Sequence, residues 1–258
     1  ILEINNLSKY FSGLAAVSDC SLKVKRGTIT GIIGPNGSGK TTLFNLIAGN
    51  LKSSSGVVTF DEENITDVPS YELFSKGLLR TFQIAHEFSN LSVLENLMMV
   101  PGNQSGEKLM TALLKPKLVA EEEATIKEKA KEVVDFLNLG HLSNELAGNL
   151  SGGQKKLLEL GRTMMVDAKL VLLDEVGAGV NRTLLKDLGT AIEKLNKEKG
   201  YTFCMIEHDM DFIGRLCDPV IVMAEGSVLF EGSVEDAKKD EKVIESYLGR
   251  GSKLKETN

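Results

Sequence analysis

Residues 34 to 41 read Gly-Pro-Asn-Gly-Ser-Gly-Lys-Thr, and this stretch decides the fold. An apolar segment, Ile29 to Ile33, precedes it, and an amphipathic helical pattern follows. A strand, a glycine-rich loop and a helix in that order form the phosphate-loop pattern. Glycines let successive backbone N–H groups turn toward one point, and the helix N-terminus adds partial positive charge. The sequence therefore predicts a site for a nucleoside triphosphate.

Within the loop, each residue type has an expected task. We expect Lys40 to reach the β and γ phosphates and the Thr41 hydroxyl to bind Mg²⁺. The alternative is an ordinary glycine-rich turn, which the strand before and the helix after the loop argue against. The expected ATP-binding residues are Gly34, Pro35, Asn36, Gly37, Ser38, Gly39, Lys40, Thr41 and Thr42.

The rest of the chain alternates short apolar segments with helical patterns, which predicts an α/β fold with a mostly parallel sheet. The predicted strands are Ile29 to Ile33, Val57 to Phe60, Leu170 to Leu173, Thr202 to Ile206 and Pro219 to Met223. Between the second and third strands no strand signal stands out, and helical spacing predicts an inserted helical subdomain. The residues that carry this spacing are Ile126, Ala130, Val133 and Leu137. Val228 to Phe230 is expected to form a hairpin with the last strand, before a charged helical tail from Ser233.

Composition excludes several classes of protein. The 258 residues are 42% hydrophobic and 26% charged, as in compact globular chains. A net charge of −6 argues against a mainly electrostatic nucleic-acid binder. No apolar run approaches the roughly 20 residues that span a bilayer, and no signal peptide is evident. The three cysteines, Cys20, Cys204 and Cys217, lack metal-ligand or redox spacing, which favours buried thiols.

A second glycine-rich helix start follows in Leu150-Ser151-Gly152-Gly153-Gln154. Two glycines directly after a serine N-cap leave backbone donors suited to an anion. The pattern is compatible with a second phosphate-binding surface. Taken alone, it is equally compatible with a flexible N-cap.

Two predicted core strands end in residues that can act on a phosphate. Asp174 and Glu175 follow four apolar residues, at the strand edge where open α/β sheets bind ligands. Asp174 would hold the Mg²⁺ shell, and Glu175 would orient or deprotonate the attacking water. His208 follows Thr202 to Ile206 and could contact the γ-phosphate, although a satisfied structural histidine is the alternative. His86 and His141 are expected at the surface.

These motifs occur in the order that defines ABC ATPases, and the chain is similar to that family over essentially its whole length. The resemblance rests on the phosphate loop, Thr81-Phe82-Gln83, Leu150 to Gln154, Leu170 to Glu175 and His208. It implies a P-loop NTPase core of residues 1–83 and 166–232, with a small antiparallel β portion. Residues 84–165 would form a helical subdomain with the signature motif, and residues 233–258 a C-terminal helical tail.

The resemblance also implies roles that the pattern alone does not give. Phe11 would stack on adenine, with the adjacent Tyr10 as a rival. Gln83 would contact Mg²⁺ and the water while linking to membrane subunits. The metal set would be Thr41, Gln83 and, through a water molecule, Asp174. Ser151, Gly152, Gly153 and Gln154 would act on ATP held by the opposing subunit, and the dimer-interface loop would comprise Ala178, Gly179, Val180 and Asn181.

Within the family, the chain resembles the ATPases of branched-chain amino acid uptake systems. The matching segments are Gly77 to Gln83, Leu91 to Asn96, Ile206 to Met210 and Ile244 to Gly249. This implies a peripheral subunit on the cytoplasmic face of the membrane, paired with an identical or homologous ATPase, with permease subunits and indirectly with a solute-binding protein.

Three alternative functions stay open. Urea-type and amide importer ATPases share much of the pattern. A soluble ABC protein acting on ribosomes or DNA would be expected to carry two cassettes or a long coiled coil, and a non-hydrolysing regulatory module would have degenerate acids. The chain departs from the family at Val176 and Arg182, where proline is common, which affects the stiffness of the loop after Glu175.

Overall fold

The computed structural model describes residues 1–81, 87–102, 104–107 and 109–248. These residues divide into two compact units. The first comprises Ile1–Arg80, Lys169–Gly177 and the described chain from Glu193 onward, and the second comprises Thr81–Ala168 and Ala178–Ile192. No helix in the described ranges is both long and apolar enough to cross a membrane.

All ten strands of the described chain belong to the first unit. They are β1 (Leu2–Phe11), β2 (Leu14–Val24), β3 (Ile29–Ile33), β4 (Ser55–Phe60), β5 (Glu63–Asn64), β6 (Leu78–Arg80), β7 (Leu170–Asp174), β8 (Thr202–Ile206), β9 (Val220–Ala224) and β10 (Ser227–Gly232). The larger sheet has the order β10-β9-β3-β8-β7-β6 and is parallel except for the β9–β10 hairpin. The smaller sheet, β2-β1-β4-β5, is antiparallel. The predicted α/β fold, mostly parallel with a small antiparallel portion, is confirmed.

The helices of the described chain follow the strands in the expected alternation. They are α1 (Lys40–Ile47), α2 (Ser70–Lys76), α3 (Val93–Met98), α4 (Leu109–Leu114), α5 (Pro116–Phe136), α6 (Gly152–Met164), α7 (Arg182–Lys199), α8 (Met210–Leu216), α9 (Val234–Ala237) and α10 (Glu241–Leu248). Short 3₁₀ turns occupy Ser105–Glu107, Gly140–Leu142 and Ala147–Asn149. The two helices α9 and α10 begin where a charged helical tail was expected, and residues 249–258 lie outside the described chain.

One hydrophobic core in the first unit positions the phosphate loop. Leu43, Phe44 and Ile47 on α1 are fully or almost fully buried, and they pack with residues of both sheets. Among these are Leu2 of β1 and Leu172 of β7. Each such side chain stabilises the folded state by about 1.5–3 kcal/mol through removal from water. The helix that follows the loop is therefore fixed along its apolar face, and the loop is fixed with it.

Four strands escape the sequence pattern. β1 and β2 carry interleaved polar residues and several register irregularities, so their alternation is imperfect. β5 and β6 lie in the stretch where no strand was expected, and that expectation is wrong at both places. Strands of two and three residues are too short to show a period of two. β6 begins directly after Gly77, which ends α2 with a φ of 90°.

The second unit is helical, as the insert was expected to be. Ala130, Val133 and Leu137 are buried along one face of α5 and its C-cap. A capping box begins α3, where the Ser92 side chain accepts from the N–H of Glu95 and the Glu95 carboxylate accepts from that of Ser92. Ser-x-x-Glu spacing predicts this arrangement, and the backbone donors at the helix start are satisfied by it.

Candidate active site

Two glycines give the phosphate loop a backbone path that no other residue could follow. Gly34 has a φ of 148°, and a Cβ at that position would lie 2.1 Å from the carbonyl oxygen of Met223. Gly39 has a φ of 98°, and its Cβ would lie 2.4 Å from the carbonyl oxygen of Ala16. Glycine is therefore needed both for the left-handed backbone and for close approach of neighbouring chain.

Lys40 begins α1 and turns its ammonium group back over the loop. Its Nζ donates to the carbonyl oxygens of Gly34 at 2.8 Å and Pro35 at 3.0 Å. Burial lowers the pKa of Lys40 below its ordinary value, and the nearby charges of Glu175 and Asp174 oppose that shift. A largely buried cation held at the mouth of a glycine-rich loop is suited to bind an anionic phosphate.

The loop forms one wall of a cleft of about 270 Å³. The described residues that line it are Leu14, Ala15, Ala16, Asn36, Gly37, Ser38, Gly39, Lys40, Thr41, Thr42, Glu175 and His208. Phe11 and Tyr10 are exposed at the end of β1, opposite Leu14 and Ala15 in the β1–β2 hairpin, and neither is among those residues. The predicted phosphate-loop residues from Asn36 to Thr42 thus meet Glu175 and His208 at a single cleft, whereas Gly34 and Pro35 are not among its lining residues.

Adjacent parallel strands bring the acidic residues and the histidine together. Asp174 pairs in register with Ile206, and the N–H of Glu175 donates to the Ile206 carbonyl at 2.9 Å. Nε2 of His208 lies 3.0 Å from Oε1 of Glu175. Glu175 has a φ of 48°, a left-handed conformation that is uncommon outside glycine. Such strain at the end of a buried strand is characteristic of functional positions.

Arg80 is a site residue that the motif analysis missed. Its Nη2 donates to Oδ2 of Asp174 at 2.6 Å, and its Nη1 donates to Oδ1 of Asn45 at the same distance. The two charged side chains are only 10% and 5% exposed. The parallel pairing of β6 with β7 creates this contact. The signal in the sequence was an arginine directly after two buried leucines.

Glu207 is a second missed residue. It is buried, and its Oε1 accepts from the N–H of Gly177 at 2.7 Å while Oε2 accepts from the N–H of His208 at 3.3 Å. Burial raises the pKa of Glu207 above its ordinary range, against the lowering effect of both hydrogen bonds. One carboxylate therefore ties the loop after Glu175 to the backbone of the histidine.

The second unit holds the other predicted segments. Ser151 is the N-cap of α6, with a reciprocal capping box to Gln154. A Cβ on Gly153 would lie 2.5 Å from Cδ1 of Leu184, so glycine permits close packing there. Asn181 accepts through Oδ1 from the N–H of Leu184 at 3.0 Å and thereby caps the start of α7.

Some predicted residues fall outside the described ranges. They include Gln83, expected at the metal and the water, and His86, expected at the surface. His141 is exposed. The described residues contain no group of three or more His, Cys, Asp or Glu side chains able to hold a metal ion. All three cysteines are free and buried, as their spacing indicated.

The profile of the family described as "ABC transporter" matches residues 17–178, which include the phosphate loop, Ser151 to Gln154, Asp174 and Glu175. The chain belongs to the ABC transporter family. It is an ATP-binding cassette and an ATPase.

Curated relatives cover almost the whole cassette. It is 44% identical to a probable branched-chain amino acid transport ATP-binding protein LivG of Archaeoglobus fulgidus, over 96% of this chain and 95% of the relative. It is 34% identical to the high-affinity branched-chain amino acid transport ATP-binding protein BraF of Pseudomonas aeruginosa, over 96% and 98% of the two chains. The crystal structure of a nucleotide-free ATP-binding cassette from an ABC transporter matches with a TM-score of 0.83 and 39% identity, over 96% and 99%.

Proposed function

We propose that this cassette powers the uptake of branched-chain or related amino acids by hydrolysing ATP on the cytoplasmic face of a membrane. The observation that carries the catalytic part is the Glu175–His208 contact at the cleft of the phosphate loop. The solute class comes from the similarity to branched-chain amino acid transport ATP-binding proteins that cover almost the whole cassette. In such a system the permease selects the solute, and the cassette supplies the driving force.

Nucleotide binding would use both the backbone and the side chains of the loop. The backbone N–H groups of the loop, which Pro35 lacks, would surround the phosphates at the N-terminus of α1. Lys40 would exchange its loop carbonyl partners for phosphate oxygens. Phe11 would stack on the adenine from the exposed end of β1.

The residues at the cleft also fit Mg²⁺. Mg²⁺ binds oxygen ligands, usually one or two from the protein together with phosphates and water, and it neutralises charge on the β and γ phosphates. The Thr41 hydroxyl and the Asp174 carboxylate supply such oxygens, and Gln83 would supply a third. A protein site with few carboxylates agrees with the lack of any larger metal-binding cluster among the described residues.

Glu175 and His208 would divide the chemical work. The carboxylate of Glu175 would accept a hydrogen bond from the attacking water and draw away its proton as the bond to phosphorus forms. His208 would hold the Glu175 carboxylate through Nε2 and contact the γ-phosphate. Loss of the γ-phosphate would then remove a contact of His208, whose backbone N–H donates to the Glu207 carboxylate.

A complete site would need two cassettes. Ser151, Gly152, Gly153 and Gln154 would bind the ATP held by an opposing subunit, through the N-terminus of α6. Ala178 to Asn181 would lie at the same interface. The core of residues 1–83 and 166–232 and the subdomain of residues 84–165 would move as the pair closes on ATP and reopens after hydrolysis. Permease subunits would convert that motion into transport, and a solute-binding protein would deliver the solute.

Uptake by cells tests the solute assignment. Cells that lack the native gene for this cassette would be supplied with the wild-type chain or the Glu175→Gln variant, and uptake of radiolabelled leucine, valine and urea would be followed. The proposal predicts that leucine and valine uptake returns with the wild type only. Restored urea uptake without leucine uptake would instead establish the urea-type alternative. That alternative is tested because urea-type importer ATPases share much of the sequence pattern of this chain.

A further inference from the structure

Arg80 contacts Asp174 and is not among the described residues that line the cleft of the phosphate loop. It is the last residue of β6, and its guanidinium group donates to Asp174 at the end of β7 and to Asn45 on α1. The guanidinium carbon lies 6.0 Å from the ring centroid of Phe44, the residue before Asn45. Three elements of the first unit, β6, β7 and α1, therefore converge on one side chain.

The contact is more specific than an ordinary ion pair. A guanidinium group presents its donors in a rigid fork, so bonds to two acceptors at 2.6 Å each fix its plane. The pair is almost fully buried, and buried ion pairs contribute little net stability once desolvation is counted. A stabilising role alone is thus a poor reason for an arginine here, whereas fixing the rotamer of a carboxylate requires this geometry.

We propose that Arg80 is a positioning residue for the metal site: it holds Oδ2 of Asp174 so that the other carboxylate oxygen is directed to the hydrated Mg²⁺ of the ATP complex. The inference rests on the proposed role of Asp174. Outer partners that orient metal-binding carboxylates typically change metal affinity by about 10- to 100-fold when removed. Asn45 assists by holding the second nitrogen of the fork.

The direction in which cation affinity changes when Arg80 is replaced separates a positioning role from a purely electrostatic one. Arg80 carries a positive charge close to the expected ion, so its removal should strengthen cation binding if only Coulomb forces mattered. If Arg80 merely fastened β6 to β7, metal affinity in the folded variant should not change. Of the three roles, only positioning predicts that the cation binds more weakly after the positive charge is removed.

The test uses Mn²⁺ as the probe and the full-length chain with β,γ-imido-ATP, with free Mn²⁺ measured by electron paramagnetic resonance. Arg80→Met should weaken Mn²⁺ binding by about tenfold. Arg80→Lys, which keeps the charge without the fork, should weaken it less, and Asn45→Ala should give a smaller loss in the same direction. Nucleotide affinity in EDTA should match that of the wild type in every variant. Arg26→Met, at an exposed arginine paired with Asp61, is the matched control and should bind Mn²⁺ normally.

Unchanged or tighter Mn²⁺ binding in Arg80→Met would overturn the inference. Should that variant fail to fold because Asp174 is left unpaired, Arg80→Lys and Asn45→Ala decide the question by the same criterion. Asp174→Asn separates this inference from its premise. If Asp174→Asn binds Mn²⁺ normally, the role proposed for Asp174 fails; if it binds weakly while the Arg80 and Asn45 variants bind normally, only the role of Arg80 fails.

Discussion

Nε2 of His208 lies 3.0 Å from Oε1 of Glu175, although 33 residues separate them in the chain. The contact follows from strand order, since β7 and β8 are parallel neighbours, Glu175 is the first residue after β7 and His208 is the second residue after β8. Both side chains line the cleft of the phosphate loop. The pair thus joins a carboxylate able to activate water with an imidazole able to contact phosphate.

Replacing His208 should slow hydrolysis without abolishing nucleotide binding. In His208→Ala, Glu175 loses the partner that orients its carboxylate, so the turnover number should fall by about 10²-fold or more. ATP affinity should stay within a few-fold of the wild type, because Lys40 and the loop backbone are unchanged. Steady-state phosphate release and nucleotide titration measure the two quantities.

His141→Ala is the matched control for that variant. His141 is exposed and lies in the 3₁₀ turn Gly140–Leu142 of the second unit. Its replacement should leave turnover unchanged. Normal turnover in His208→Ala would refute a catalytic role for the histidine.

The path of the phosphate loop predicts that two alanine substitutions lower the free energy of unfolding by clearly different amounts. Gly34→Ala would place a Cβ 2.1 Å from the Met223 carbonyl oxygen, whereas a Cβ on Gly37 meets nothing within 4 Å. Gly37→Ala should lower the free energy of unfolding by about 1–2 kcal/mol, through its positive φ alone. Gly34→Ala should lower it by at least about 3 kcal/mol, because the backbone must move. Urea denaturation measures both free energies of unfolding. Equal losses would show that Gly34 does not lie so close to the Met223 carbonyl oxygen.

Burial of Glu207 predicts a pH dependence of stability. Since its pKa is raised in the folded state, the native protein holds this proton to higher pH than the unfolded chain does. The free energy of unfolding contributed by this group is therefore largest below the ordinary pKa of glutamate and falls as pH rises through the raised value. Glu207→Gln removes that contribution.

Urea denaturation of the wild type and Glu207→Gln between pH 4 and pH 8 tests this directly. The stability of the wild type relative to the variant should decline as pH rises. Glu231→Gln, an exposed position on β10, should show no such trend. A wild type that gains stability over Glu207→Gln with rising pH would contradict the direction of the shift.

The buried thiols should resist alkylation in the folded protein. Burial raises the pKa of Cys20 to about 11 and that of Cys217 to about 12, and it also raises the pKa of Cys204. The thiolate is the reactive form, so iodoacetamide at pH 8 should modify all three far more slowly than in urea. Mass spectrometry of the time course would reveal the difference. Rapid native labelling of any one cysteine would show that its burial is wrong.

The sequence alone predicts those site residues that belong to a local motif and follow a buried strand. Lys40 and Glu175 follow buried strands within recognisable local patterns, and their neighbourhood at one cleft follows from the parallel order of those strands. Arg80 and Glu207 were missed because each acts through contacts made by tertiary structure. Arg80 meets an aspartate 94 positions away, and β6, the strand that carries it, has only three residues. Burial of Glu207 is likewise set by packing, which leaves no periodic signal.

We propose that two copies of this chain can close on ATP, an identical subunit serving as the opposing cassette, and that hydrolysis at Glu175 reopens them. Light scattering of the wild type and Glu175→Gln, with ATP added first without Mg²⁺ and then with it, tests this most directly. We predict a dimer that persists in Glu175→Gln after Mg²⁺ is added and a wild type that hydrolyses ATP and returns to the monomer. A Glu175→Gln protein that binds ATP yet stays monomeric, or that turns over at the wild-type rate, would contradict the account.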